Sequence, residues 1–185
     1  MILPIIAYGD PILKKQAKEI EDDYPKLKDL IENMFETMYS SKGVGLAAPQ
    51  VNESLRVFIV DASPFKEDDA SLDGFKKVFI NPIILEEDGQ EWLFNEGCLS
   101  IPGIREDVKR KERIVIEYFD ENFVLHEETY DGLSARIIQH EYDHLDGILF
   151  TDRINPLKRR LLKSKLNDIA RGKIEINYKM KFPLK

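Results

Sequence analysis

Two histidines and a glutamate, set one helical turn apart in an apolar stretch, constrain this chain more than any other feature. His140-Glu141-Tyr142-Asp143-His144 forms an H-E-x-x-H pattern, with Ile137, Ile138, Leu145 and Ile148 around it. On a helix, residues four apart lie on the same face, so two imidazoles can grip one metal ion. Two rings and a carboxylate half-buried among isoleucine and leucine need a partner, because unpaired polar groups are costly away from water. Whatever fold forms must therefore bury this helix and bring further ligands to it.

Two histidines leave a tetrahedral ion short of protein ligands. No histidine follows His144, and His126 falls on an expected strand as an ordinary strand residue. The chain's single cysteine, Cys98, sits in Glu96-Gly97-Cys98-Leu99-Ser100-Ile101-Pro102. Taken alone, a free cysteine reads as a small buried hydrophobe. With H-E-x-x-H downstream, it is a candidate thiolate ligand. Cys98, His140 and His144 would leave a fourth position open, as catalytic rather than structural metal sites do. An ion so held polarises a carbonyl and lowers the pKa of its bound water to about 7. Glu141, beside it, can take the proton and later return it to a leaving amine. This chemistry suits hydrolysis of an amide-like bond and does not say which amide.

Hydrophobic periodicity supplies the frame. Over 25–40, Leu27, Leu30, Ile31, Met34, Phe35 and Met38 share one helical face. Asp22 or Asp23 is the expected cap, Pro25 suits the first turn, and Gly43 is the expected stop. Short strands are expected at 55–60, 77–80, 83–87, 91–94, 113–119 and 123–129, all rich in Val, Ile, Phe and Tyr. Between them, 63–77 reads as a solvated acidic loop. A second helix spans 131 or 132 to 145, buried on more than one face. A third starts at the Asn155-Pro156 cap and runs to Arg171, with Leu157, Leu161, Leu162, Leu166 and Ile169 as its stripe. Alternation of Ile174, Ile176 and Tyr178 suggests an extra strand in a 174–185 extension. The expected fold class is α+β: one domain over 1–185, mostly antiparallel short strands around the central helix, with N-terminal and C-terminal helices.

Charge is uneven. The net charge is −7, which argues against DNA as a direct ligand. From Thr151 onward 11 basic residues face 3 acidic ones, so this end carries +8 and the first 150 residues carry −15. No apolar run approaches the roughly 20 residues that span a bilayer. The apolar start at Met1 lacks the basic lead of a signal peptide. A lone cysteine excludes an internal disulfide and fits a reducing cytoplasm, the expected location.

A third motif, Gly43-Val44-Gly45-Leu46-Ala47-Ala48-Pro49-Gln50, has neither dinucleotide-fingerprint nor phosphate-loop spacing. Its small residues would let a substrate backbone approach, and Gln50 can donate to a developing oxyanion. Together, GVGLAAPQ at 43–50, EGCLS at 96–100 and QHEYDHL at 139–145 resemble the three motifs of peptide deformylases, in order. The likeness runs from the first helix through Pro156. Pro49 departs from many members, and the acidic loop is somewhat long.

The resemblance implies removal of the N-formyl group from the initiator methionine of nascent polypeptides, with release of formate. By motif, Cys98, His140 and His144 would bind the metal, and Glu141 would be the general acid/base for attack by metal-bound water. Gln50 and the Leu99 N–H would hold the oxyanion. Gly45 and Gly97 would pair with the substrate backbone, Val44, Leu133 and Ile137 would line the methionine pocket, and Arg105 would face the substrate's far end. The family's usual metal is ferrous iron (Fe2+), with zinc, nickel or cobalt also found. The basic C-terminal helix resembles one that contacts the ribosome, and a solvated basic face is its plain alternative. Two rival readings are a general zinc endopeptidase and a non-enzymatic ribosome-binding module with a structural metal. The first lacks a downstream ligand, and the second has no use for Glu141.

Overall fold

The computed structural model describes residues 1–184. It opens with a two-residue strand, β1 (Ile5–Ile6), and a 3-10 turn at Pro11–Lys14 capped by the Asp10 carboxylate. Helix α1 (Leu27–Ser40) follows, burying Leu27, Ile31, Met34, Phe35 and Met38 as its periodicity requires. Its start differs from expectation. Neither Asp22 nor Asp23 caps it; Lys26, in the left-handed conformation (φ 63°), turns the chain into the helix instead. Its end also differs. The left-handed residue is Lys42, the Lys42 N–H reaches the Tyr39 carbonyl, and the Gly43 N–H reaches that of Met38. That is a paired 5→2 and 6→1 closure. Gly43 is thus not the turning residue; a Cβ there would lie 2.8 Å from Leu99 Cδ1, so the position keeps two segments close.

Five strands form one antiparallel sheet in sequential order: β2 (Gly45–Ala47), β3 (Val57–Asp61), β4 (Lys76–Cys98), β5 (Ile101–Phe119) and β6 (Leu125–Asp131). The antiparallel pairing was expected; the lengths were not. Three short strands expected between 77 and 94 are one 23-residue strand, and β5 begins at Ile101 rather than Arg113. Asn81-Pro82 and Asp88-Gly89 read as breaks, yet register shifts between Ile80 and Ile83 and between Asp88 and Glu91 absorb them as bulges. The acidic 63–77 stretch is two 3-10 turns, mostly exposed, but it is anchored inward by Leu72 and Phe75.

Helix α2 (Gly132–Leu145) packs on β2, β3 and β5, and from Ser134 to Leu145 all but His140 and Tyr142 are buried. Phe58, Phe79, Ile114, Ile138 and Leu145 fill the core beneath it, with the Phe58 and Phe79 rings stacked at 4.6 Å. A one-turn helix, α3 (Phe150–Arg153), follows. The expected helix from Asn155 to Arg171 is interrupted at Leu162 into α4 (Pro156–Leu161) and α5 (Lys163–Ala170). Asn155 caps it as expected, accepting from the Leu157 N–H at 2.8 Å. The expected stripe is only half used: Leu166 and Ile169 are buried, while Leu157 and Leu161 are 65% and 75% exposed. The extension's strand lies later than expected, as β7 (Met180–Lys181), and pairs in parallel with β1. Among the described residues, no helix is long and apolar enough to cross a membrane.

Candidate metal centre

Strand β4, the turn after it and helix α2 converge because alternate residues of a strand share a face, as do residues four apart on a helix. Cys98 ends β4, and His140 and His144 lie one turn apart on α2. One ligand atom from each of the three falls within 4.8 Å of the others. Cys98 Sγ stands 3.4 Å from His144 Nε2. Donors on one tetrahedral ion, with a thiolate at about 2.3 Å and imidazoles at about 2.0 Å, lie about 3.5 Å apart. The donor set and its spacing therefore fit a divalent cation of the zinc or ferrous type.

A buried charge network fixes the ring of His140. His140 Nδ1 meets Glu96 Oε2 at 3.0 Å, leaving Nε2 for a metal. Glu96 also accepts from Arg110 Nε at 2.7 Å and from Arg136 Nη1 at 3.0 Å. Arg110 extends the chain to Asp143 at 2.7 Å, on the same helix as the histidines. Burial alone would raise the Glu96 carboxyl, but hydrogen bonds from His140 and Arg110 hold it well below the usual carboxylate range. Burial also opposes protonation of both histidines. Hydrogen bonding with Cys98 and Glu96 nevertheless carries His140 well above its ordinary value, while His144, lowered first by burial and then by its nearness to His140 and Arg110, falls well below.

Glu141 faces the same cavity. Burial pushes its carboxyl up to about 7; His140 and Arg110 oppose that rise, and Glu96 and Asp143 add to it. Its Oε2 is buried with no hydrogen-bond partner among the described residues. A Cβ on Gly45 would collide with Glu141 Oε1, so only glycine leaves this carboxylate its place. Gln50 is held through its Oε1, which accepts from the Ala47 N–H at 2.9 Å. That aims Nε2 at Cys98 Sγ (3.4 Å) and Ser100 Oγ (3.2 Å).

A cavity of about 610 Å³ opens over these groups. Val44, Gly45, Gln50, Gly97, Cys98, Leu99, Arg105, Leu133, Ile137, His140 and Glu141 all line it. His144 alone of the expected site residues stands behind the wall, 1% exposed. Arg105 is tied to Asn95 through Nε at 2.9 Å and Nη2 at 2.6 Å. Glu96, Arg110 and Asp143 had no assigned role in the sequence. The i, i+2 relation of Glu96 to Cys98 and the i, i+3 relation of His140 to Asp143 were readable signals. Arg110 carried none. The cavity is also lined by Phe65, Phe94 and Tyr178, from segments that sequence reading left outside the site.

Comparison with known proteins agrees with this geometry. A family model described as polypeptide deformylase matches residues 2–160. The chain is similar to the peptide deformylase of Christiangramia forsetii, 61% identical over 99% of this chain and 97% of the relative. It is also similar to that of Cytophaga hutchinsonii, 52% identical over the whole of both chains. Among solved structures it is similar to a peptide deformylase from Legionella pneumophila, with TM-score 0.81, 38% identity and coverage of 96% and 100% of the two chains. The peptide deformylase from Thermus thermophilus gives TM-score 0.81 at 41% identity, covering 91% and 98%.

Proposed function

The chain belongs to the polypeptide deformylase family, a family of metal-dependent hydrolases, and we propose that it removes the formyl group from N-terminal formyl-methionine on nascent polypeptides. The observation that carries the reading is the convergence of Cys98, His140 and His144 beside the buried carboxylate oxygen of Glu141 that has no partner among the described residues. Residues 1–185 act as one catalytic unit, with the basic 151–185 end as its appendage.

Cys98, His140 and His144 would hold one divalent cation, ferrous iron by family habit, with zinc, nickel or cobalt equally compatible with sulfur and nitrogen donors. Bound there, such a cation would supply polarisation of the formyl carbonyl and a lowered pKa for water. Glu141 takes a proton from the attacking water and delivers it to the departing amine, so formate and a free N-terminus leave together. Gln50 Nε2 and the Leu99 N–H hold the carbonyl oxygen as charge grows on it. Val44, Leu133 and Ile137 enclose the methionine side chain. Gly45 and Gly97 leave backbone free to pair with the peptide, and Arg105, braced on Asn95, meets its far end.

The site is expected to work in the cytoplasm, on chains leaving the ribosome, and the positive face of α4 and α5 gives an electrostatic reason for proximity to ribosomal RNA. The deciding assay offers anaerobically purified protein a formyl-methionyl peptide and its unformylated twin. Formate from the first with both backbones intact is the expected result. Internal cleavage of either peptide would favour an endopeptidase, and inertness towards both would favour a structural metal.

A further inference from the structure

Residues 174–184 lie beyond the stretch matched by the family model, yet they return to the cleft. Tyr178 lines the cavity and donates its phenolic O–H to the Leu99 carbonyl at 2.7 Å. The next carbonyl along, that of Ser100, accepts the Tyr8 N–H at 2.9 Å. Just beyond Tyr178, the Lys179 and Lys181 carbonyls accept the Ile5 and Ala7 N–H groups, each at 2.9 Å. Two consecutive carbonyls of the turn joining β4 to β5 are therefore tied down, one by each end of the chain. Gln50 holds the same turn from the other side, through Cys98 Sγ and Ser100 Oγ.

This turn carries both the Cys98 thiolate and the Leu99 N–H. With the sulfur fixed by a cation and the Leu99 carbonyl fixed by Tyr178, the peptide group between them has little rotation left. Its N–H then points at one place, and oxyanion stabilisation depends on such alignment. We propose that Tyr178 is a positioning residue for the deformylation assigned above, its hydroxyl holding the Cys98–Leu99–Ser100 turn in the geometry the reaction uses. The inference rests on that assignment for its rate effect but not for its structural one. The ring sits at the cleft wall, and the hydroxyl is the part that acts.

The test is Tyr178→Phe, which keeps the ring in place. In metal-loaded protein the variant should match wild type in metal content and lose no more than about 6 °C of Tm. Its kcat for a formyl-methionyl peptide should fall about two- to tenfold, the worth of one neutral hydrogen bond, with KM unchanged. Hydrogen exchange at the backbone amides of residues 98–101 should quicken relative to wild type. An unchanged kcat, or unchanged exchange in that turn, overturns the proposal. So does a lowered Tm with normal kcat per folded site, because that marks a mere staple. Failure of wild type to release formate would sink the deformylase reading, while the exchange measurement still decides whether Tyr178 holds the turn.

Discussion

Glu96→Gln is the sharpest probe of how the centre is held, because it removes one charge and almost no volume. The carboxylate accepts hydrogen bonds at 2.7 and 3.0 Å from Arg110, at 3.0 Å from Arg136 and at 3.0 Å from His140. The side chains of Glu96, Arg110 and Arg136 are 4%, 3% and 2% exposed, so solvent cannot compensate for the loss. A glutamine can accept with one end only and turns an NH2 group towards cationic donors. Arg136 is left on the carbonyls of Val108 and Trp92, and Arg110 on Asp143. Breaking one partner of a buried pair costs about 3–5 kcal/mol. For a chain of this size that is a fall in Tm of about 6–20 °C. The same change loosens His140, and loss of such an outer partner typically weakens metal binding about 10- to 100-fold. Urea unfolding of metal-stripped protein measures the first effect, and chelator competition on folded protein the second. A variant as stable as wild type that binds metal as tightly would refute the reasoning.

Other expectations are more local. Glu141→Gln should keep fold and metal while turnover falls about 10²- to 10⁴-fold, read by formate release; Cys98→Ala should instead lose metal, read by elemental analysis after dialysis. Gly45→Ala places a methyl against the Glu141 carboxylate and should cost about a hundredfold in kcat, with circular dichroism unchanged. Although burial raises the Glu128 carboxyl, hydrogen bonds from Lys77, Tyr118 and Tyr130 bring it down to about 2 from 4.5. A depressed carboxyl stabilises the fold above its unfolded pKa and stops doing so as pH falls through the folded one. The stability gap between wild type and Glu128→Gln should therefore close between about pH 4.5 and 2, and a gap constant over that window would contradict the assignment. Neutralising Lys158, Arg159, Arg160 and Lys163 together should weaken salt-sensitive co-sedimentation with ribosomes, whereas unchanged binding would leave a simple solvated face.

What the sequence made legible follows its physics closely. Helix α2 could be read because H-E-x-x-H and the apolar residues around it agree, and the three motifs do meet around one cavity. The long strands could not, because Asn81-Pro82 and Asp88-Gly89 carry the local chemistry of turns and only cross-strand pairing turns them into bulges. Arg110 sits in the run Lys109-Arg110-Lys111, which reads as solvated surface; alternation buries its middle member against Glu96. The apolar stripe of the last helix overstated burial, since Leu157 and Leu161 precede the interruption at Leu162 and point outward. Phe65 and Tyr178 reach the cleft through tertiary folding alone, and no local pattern announces either one.

The parallel pairing of β1 with β7 has a consequence for the order of assembly. Its two halves, Ile5–Ile6 and Met180–Lys181, lie far apart in the sequence, with the whole five-stranded sheet between them. Until the two halves meet, the loop bearing the sulfur ligand lacks one of its fasteners, however well the sheet has already formed. Closing so long a loop costs more chain entropy than joining neighbouring strands, so the cysteine-bearing loop draws one of its supports from a contact that no local hairpin provides.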